Sequence, residues 1–228
     1  MKIAQPLFPN DDGLADPALI RALGEGDPYA IVAALGKTRV FVALLAELDS
    51  ASSTEAGLKV EQESHMALTW LTLDKQKALP IFTSLNALAN WNLMARPLGV
   101  EVERVAIVAA SEGGVLLLDP GSPTSYELGI GPLRSLALGY EFLPLDQDQE
   151  ITAAVTQAVT SSFQEGNLME FDLQTQNQGA QSDLIITLYS PKILPSEGEL
   201  SRFATLLAKD ERILLRLTGE LEVRLAVR

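Results

Sequence analysis

Residues 79–92 read Leu-Pro-Ile-Phe-Thr-Ser-Leu-Asn-Ala-Leu-Ala-Asn-Trp-Asn. A short apolar run meets two hydroxyls, and a helix-like pattern follows that ends in tryptophan. Ile81 and Phe82 close a strand. Thr83 or Ser84 then caps a helix over 85–92, whose buried side carries Leu85, Leu88, Ala89 and Trp91. The same hydroxyls admit a functional reading, an anion or peptide site at a helix N-terminus. On physical grounds the capping role is the stronger of the two.

Working outward, the segments on either side also mix strand and helix. Asp16-Pro17 and Asp27-Pro28 each precede an apolar helical run, and Gly24 and Gly36 stand where those helices should stop. Residues 39–48, RVFVALLAEL, read as a strand, as do 65–73 and 79–83. The polar stretch 49–64 between them reads as a surface loop. A helix is expected near 101–111, a strand at 115–118, a turn at Asp119-Pro120-Gly121, a strand near 124–129 and a helix at 132–138.

Residues 141–149 read as a linker. Beyond it the pattern predicts a helix over 151–163, strands at 168–174 and 183–190, and an exposed polar loop between those strands. Ser196 with Glu199 forms a capping box before another helix. The tail alternates from residue 220, with Leu221, Val223, Leu225 and Val227 on one side and Glu222, Arg224 and Arg228 on the other. A hairpin at Thr218-Gly219-Glu220 would make the second unit αββαββ. The expectation is an α+β protein of two units, 1–147 and 148–228, each a mixed or mostly antiparallel sheet packed with helices.

Composition narrows the function classes. The chain has 228 residues, 47% hydrophobic and 21% charged, enough to fill a sizeable core. No apolar run approaches the roughly 20 residues that span a bilayer, and the first residues lack a signal-peptide pattern. A cytoplasmic protein is expected. The net charge is −13, with 10 basic and 18 acidic residues up to Gln147 and 7 and 12 after it. No Lys/Arg cluster stands out, which argues against nucleic acid and anionic membranes as partners. The acidity keeps the chain soluble, and a basic protein partner is the sharper reading of it.

The inventory also excludes most catalysis. There is no cysteine and one histidine, His65, so thiolate chemistry, HExxH and the usual zinc sites are out. His65 is expected to be solvated or locally bonded. No GxSxG surrounds a serine, no P-loop is present, and Gly129-Ile130-Gly131 is a chance match to a dinucleotide fingerprint because Arg134 stands at its last position. Glu101/Glu103 and Glu220/Glu222 read as solvated pairs. No metal and no cofactor is expected.

The motifs LPIFTS, Trp91, LLLDPGSP and the helix ending LALG carry a family resemblance. As a set they resemble the N-terminal domain of the bacterial SseB family over about residues 14–140. The signature falls on Leu79, Pro80, Phe82, Thr83, Ser84, Trp91, Asp119, Pro120 and Gly121, and the second half is more weakly similar to the family's C-terminal region. The resemblance implies no particular reaction. Two functions are therefore carried forward. The first is a non-enzymatic module that binds a protein partner or associates with itself. The second is a small-ligand binder, or weak enzyme, with its pocket at Thr83, Ser84, Asp119 and Gly121.

Overall fold

The computed structural model describes residues 8, 11–48, 64–73, 76–163, 169–178, 181–190 and 194–227. The loop expected at 49–64 lies almost wholly outside them, as does the side chain of His65. Helices and two mixed sheets give the α+β class expected.

The chain divides into Met1–Leu128 and Gly129–Arg228. In the first unit α1 (Pro17–Glu25) and α2 (Pro28–Leu35) start at Asp16 and Asp27, whose carboxylates accept first-turn amides. Helix α1 runs through Gly24 and stops at Gly26, which takes the left-handed conformation at φ 71°. Strand β1 (Arg39–Leu48) is paired antiparallel with β2 (Ser64–Leu68), with β4 (Gln76–Phe82) and with β5 (Arg96–Glu101). Residues 65–73, read as one strand, are two: β2 bonds β1, and β3 (Leu71–Leu73) pairs with β4.

Strand β5 was not expected. It contains Pro97 and Gly99, residues that argue against a strand interior. It pairs with β1 alone among the described residues, and a sheet margin is where proline is tolerated. Strand β4 runs parallel to β6 (Val115–Leu118), with Ala78 beside Val115 and Ile81 beside Leu118; β7 (Tyr126–Leu128) closes that side. Helix α4 (Val102–Ser111) crosses between β5 and β6, and α3 (Leu85–Trp91) lies against β1 and β4. Ala78 to Phe82 are all buried, so β4 has apolar neighbours on both faces. One face is completed by Phe41, Ala43, Leu88 and Ala95, with Phe82 and Trp91 tilted at 45° and 5.3 Å between centroids.

The second unit starts earlier than expected. Helix α5 (Ile130–Leu138) belongs with it, since α5 packs on α8 (Glu211–Arg216). The Tyr140 hydroxyl donates to the Leu215 carbonyl at 3.1 Å, and the Arg216 guanidinium lies 4.7 Å from the Tyr140 ring centre. The stretch expected as a linker, 141–149, is likewise held, with Leu145 in the core of this unit and Asp146 N–H donating to Thr175 Oγ1 at 2.9 Å.

Helix α6 (Gln149–Ser162) and α7 (Glu197–Lys209) pack on a sheet of β8 (Glu170–Gln178), β9 (Gln181–Ser190) and β10 (Leu221–Val227), in the order β10-β9-β8. The polar stretch expected as a loop lies mostly in β8 and β9, because only one face of this sheet is apolar. The expected tail hairpin is also corrected. Residues 211–216 form α8, started by Asp210, and β10 runs parallel to β9. A parallel neighbour needs a crossover, which α7 and α8 supply. The core joins Ile151, Val155, Ala158 and Val159 of α6 to Leu184, Ile186 and Leu188 of β9 and Phe203 and Leu207 of α7. The capping box stands as read: Glu199 N–H donates to Ser196 Oγ at 3.3 Å and Ser196 N–H donates to Glu199 Oε2 at 2.8 Å.

Asp148 links two of these helices. It caps α6 through Glu150 N–H at 2.8 Å and accepts Arg216 Nε at 2.7 Å, with side chains 9% and 14% exposed. Replacing it removes a cap and strands a largely buried guanidinium. We expect Asp148→Ala to lower unfolding free energy by about 3 kcal/mol, read as a lower urea midpoint by circular dichroism. Ser196→Ala, at an exposed cap, should cost about 1 kcal/mol.

Candidate functional site

Strands β4 and β6 are parallel and in register, so their C-terminal ends arrive side by side. Thr83 follows one and Asp119 the other. Asp119 N–H donates to Ile81 C=O at 2.9 Å, extending the ladder by one bond. The Asp119 carboxylate then turns back. Its Oδ1 accepts Thr83 N–H at 2.8 Å, and its Oδ2 accepts the Thr83 hydroxyl at 2.7 Å. Both residues are 3% exposed. The FTS and DPG turns are therefore one structure.

Asp119 has φ 44°, in the left-handed region that aspartate tolerates better than most residues. The chain leaves through Gly121 at φ 79°, where Asp119 C=O accepts Ser122 N–H at 3.1 Å. Gly121 is exposed, with no heavy atom near the place its Cβ would occupy. Its contribution is conformational. Ser84 is the N-cap of α3, and its Oγ accepts Ala87 N–H at 3.1 Å. Of the four residues singled out in the sequence, Thr83 and Asp119 face each other, Ser84 serves its own helix, and Gly121 shapes the turn.

Sequence reasoning missed the fifth member, Arg39. Its Nη1 donates to Thr83 C=O at 2.7 Å, and Nε and Nη2 clamp Asp11 at 2.6 and 2.7 Å. Nη2 also meets Leu14 C=O, and the guanidinium stacks 4.2 Å over Phe41. Only 8% of Arg39 is exposed. Asp11 in turn accepts Gly13 N–H at 3.1 Å, and Gly13 C=O accepts Leu85 N–H at 2.9 Å. Gly13 takes φ 77°, and a Cβ there would lie 2.5 Å from Leu85 Cδ1. The segment before α1 is thereby held against the start of α3. A lone arginine at the first position of a strand gave one signal: it is an odd residue to bury.

The electrostatics differ at the two carboxylates. Burial pushes the Asp119 carboxyl above its ordinary range, against the Thr83 amide and hydroxyl, which pull it down. The Arg39 hydrogen bond holds Asp11 below its ordinary range, against a smaller opposing effect of burial. Glu101 meets Arg104 at 3.1 Å and Glu222 meets Arg224 at 2.8 Å, both on exposed surface. Among the described residues no group of three or more His, Cys, Asp or Glu side chains could hold a metal ion. Among them, too, no helix is long and apolar enough to cross a membrane.

Arg39, Thr83, Ser84, Asp119 and Gly121 lie inside the stretch that matches the family model for the SseB protein N-terminal domain, residues 17–130; Asp11, Gly13 and Leu14 precede it. The chain belongs to the SseB family. No curated protein matches it. Among solved structures it is similar to the sex pheromone staph-cAM373 precursor at 11% identity, over 100% of this chain and 91% of that one. The TM-score of 0.23 is too low for that likeness to bear on fold or function.

Two outcomes follow for this SseB domain. Thr83→Val leaves the Asp119 carboxylate with one donor. We expect a loss of about 2 kcal/mol at neutral pH. The carboxyl, already raised, moves further up, so the charged form becomes costlier to bury. The loss therefore shrinks as pH falls through the folded-state value of Asp119, seen by urea unfolding across pH. Asp11 has the opposite sign. Its lowered folded-state value contributes stability above the ordinary carboxylate range, and this is lost as pH falls through that folded value. Asp11→Asn should cost about 2 kcal/mol at pH 7 and progressively less in acid.

Proposed function

We propose that this SseB-family chain is a non-enzymatic, cytoplasmic protein-interaction module, and that its first unit meets the partner through the turn between α3 and β5. One observation carries the reading. Leu93 and Met94 stand next to each other with 86% and 83% of their surface exposed, and Leu98 on β5 is 43% exposed. Large apolar side chains in solvent side by side are the usual mark of a contact surface. The turn is ordered, since Asn92 Oδ1 accepts Met94 N–H at 2.9 Å. Methionine suits such a role because its thioether adapts to irregular partners.

The partner this surface suits is a protein with an apolar anchor set among basic residues. A chain of net charge −13 attracts such a partner and repels acidic ones. Association of that kind slows as salt rises. The Thr83–Asp119 pair does not compete for the role: both carboxylate oxygens already accept from Thr83, and the Ser84 hydroxyl is occupied by its helix.

A second reading places a small-ligand site at Thr83, Ser84, Asp119 and Gly121. Its support is their position at the ends of two adjacent parallel strands, where open sheets commonly receive ligands. One experiment separates the two. Tagged wild type, Leu93→Ser/Met94→Ser and Ser84→Ala/Asp119→Ala are used to capture cytoplasmic proteins, identified by mass spectrometry. We expect a protein held by wild type and by folded Ser84→Ala/Asp119→Ala, but lost from Leu93→Ser/Met94→Ser. Retention by the Leu93→Ser/Met94→Ser variant overturns the proposed surface. Loss only from folded Ser84→Ala/Asp119→Ala moves the site to the second reading.

A further inference from the structure

Strand β10 is the margin of the second sheet: among the described residues it pairs with β9 and with no other strand. Leu184 N–H donates to Glu220 C=O at 2.9 Å, so the backbone groups of Glu220, and by alternation those of Glu222, Arg224 and Ala226, point toward β9. The amides and carbonyls of Leu221, Val223 and Leu225 point the other way, to the open margin. Their side chains share the face that Leu221 and Val223 pack into the core. Leu225 lies on that face yet is 44% exposed, beyond the reach of the unit's own helices. On the opposite face Glu222 and Arg224 are half exposed and bonded to each other by two contacts of 2.8 Å.

The stretch Leu221-Glu222-Val223-Arg224-Leu225 is complementary to itself when read backwards. We propose that β10 pairs antiparallel with β10 of a second copy of this chain, about a two-fold axis through Val223. In that register Val223 opposes Val223, Leu221 opposes Leu225, and Glu222 opposes Arg224. All the outward backbone groups of Leu221, Val223 and Leu225 then meet outward groups of the second copy, giving three pairs that each exchange two bonds. The glutamate–arginine pairs fall at the intervening positions, where side chains come closest. Each charge has an opposite charge across the strand as well as along it.

The apolar face gains too. The exposed flank of Leu225 comes against Leu221 of the second copy, and the two cores join under one sheet of order β8-β9-β10-β10-β9-β8. Neighbouring registers are worse. Centring on Arg224 sets arginine opposite arginine, centring on Glu222 sets glutamate opposite glutamate, and centring on Leu225 leaves Arg224 facing Ala226. Charges on an open margin commonly guard it against chance pairing. Here their order admits one partner, the same strand. The inference stands on the second unit alone and is independent of the surface proposed for the first.

The test uses the full chain in analytical ultracentrifugation from about 1 µM to 1 mM. Wild type should show a monomer–dimer equilibrium. Glu222→Arg and Arg224→Glu should each weaken it by about tenfold or more, since two symmetry-related pairs become repulsive at once. The combined Glu222→Arg/Arg224→Glu chain puts opposite charges together again and should recover wild-type association to within about threefold. Circular dichroism checks that each chain is folded. A wild type that stays monomeric, single reversals without effect, or a double reversal no better than the singles overturns the proposal.

Register is read separately, and from variants that keep both charges. The chain has no cysteine, so Val223→Cys introduces a lone thiol. It should form a covalent dimer on mild oxidation, because opposed residues in a bonded pair lie about 5.5 Å apart. Leu225→Cys should not, since its twin sits about four residues along, roughly 13 Å away. Preferential cross-linking of Leu225→Cys overturns the register.

Discussion

The Asp119 carboxylate is taken out of water at the end of β6, and Thr83 supplies both of its donors from the end of β4. This is the constraint on which the first unit depends. A buried carboxylate without donors costs far more than an ordinary lost hydrogen bond. The parallel pairing of β4 with β6 and the satisfaction of Asp119 therefore stand or fall together. Arg39 extends the clasp. By bonding Thr83 C=O it fixes the same loop from β1, and by bonding Asp11 it brings the segment before α1 into the arrangement. Three strand ends and two helix starts are bound through four side chains, those of Asp119, Thr83, Arg39 and Asp11.

That economy gives the motif residues singled out in the sequence a structural role. The strand-to-helix transition at Thr83-Ser84 needs a residue that bonds sideways and a residue that caps forward. The turn at Asp119-Pro120-Gly121 needs an acid that accepts a left-handed φ, a proline, and a glycine to leave by. The placing of an acid and a hydroxyl within hydrogen-bond distance suggests an active pair. Here the donors and acceptors are turned on each other.

Local chemistry made much of this readable in advance. Asp-Pro starts, the Ser196–Glu199 box, the β1 run and the strand–cap–helix at 79–92 need only nearest neighbours. Two motifs hint at the contact between Thr83 and Asp119 without fixing it, because it depends on the register of β4 against β6, 36 residues apart in sequence. Arg39 was missed for the same reason, its partners lying 28 and 44 residues away. Strand β5 was hidden by Pro97 and Gly99, which a marginal strand tolerates and a central one does not. Only the hairpin expected at Thr218-Gly219-Glu220 puts residues 211–216 in a strand; their three apolar residues run together without alternation. Asp210 at their head and the crossover required by a parallel β10 decide for helix. The boundary between units moved for a related reason: Tyr140 and Arg134 bond the carbonyls of α8, far along the chain.

The place of β10 has a consequence for synthesis. Strand β9 carries Leu184, Ile186 and Leu188 into the core and is central only when β10 lies beside it. On a ribosome the chain exposes β9 with one neighbour, β8, while α7 and α8 are still being made. At about 5–20 residues per second, the roughly 30 residues between β9 and β10 take a few seconds to add. Until then the strand that supplies Leu184, Ile186 and Leu188 to the core has one edge uncovered. Strand β10 then covers that edge along its length, with Leu221 beside Leu184 and Val227 beside Ser190.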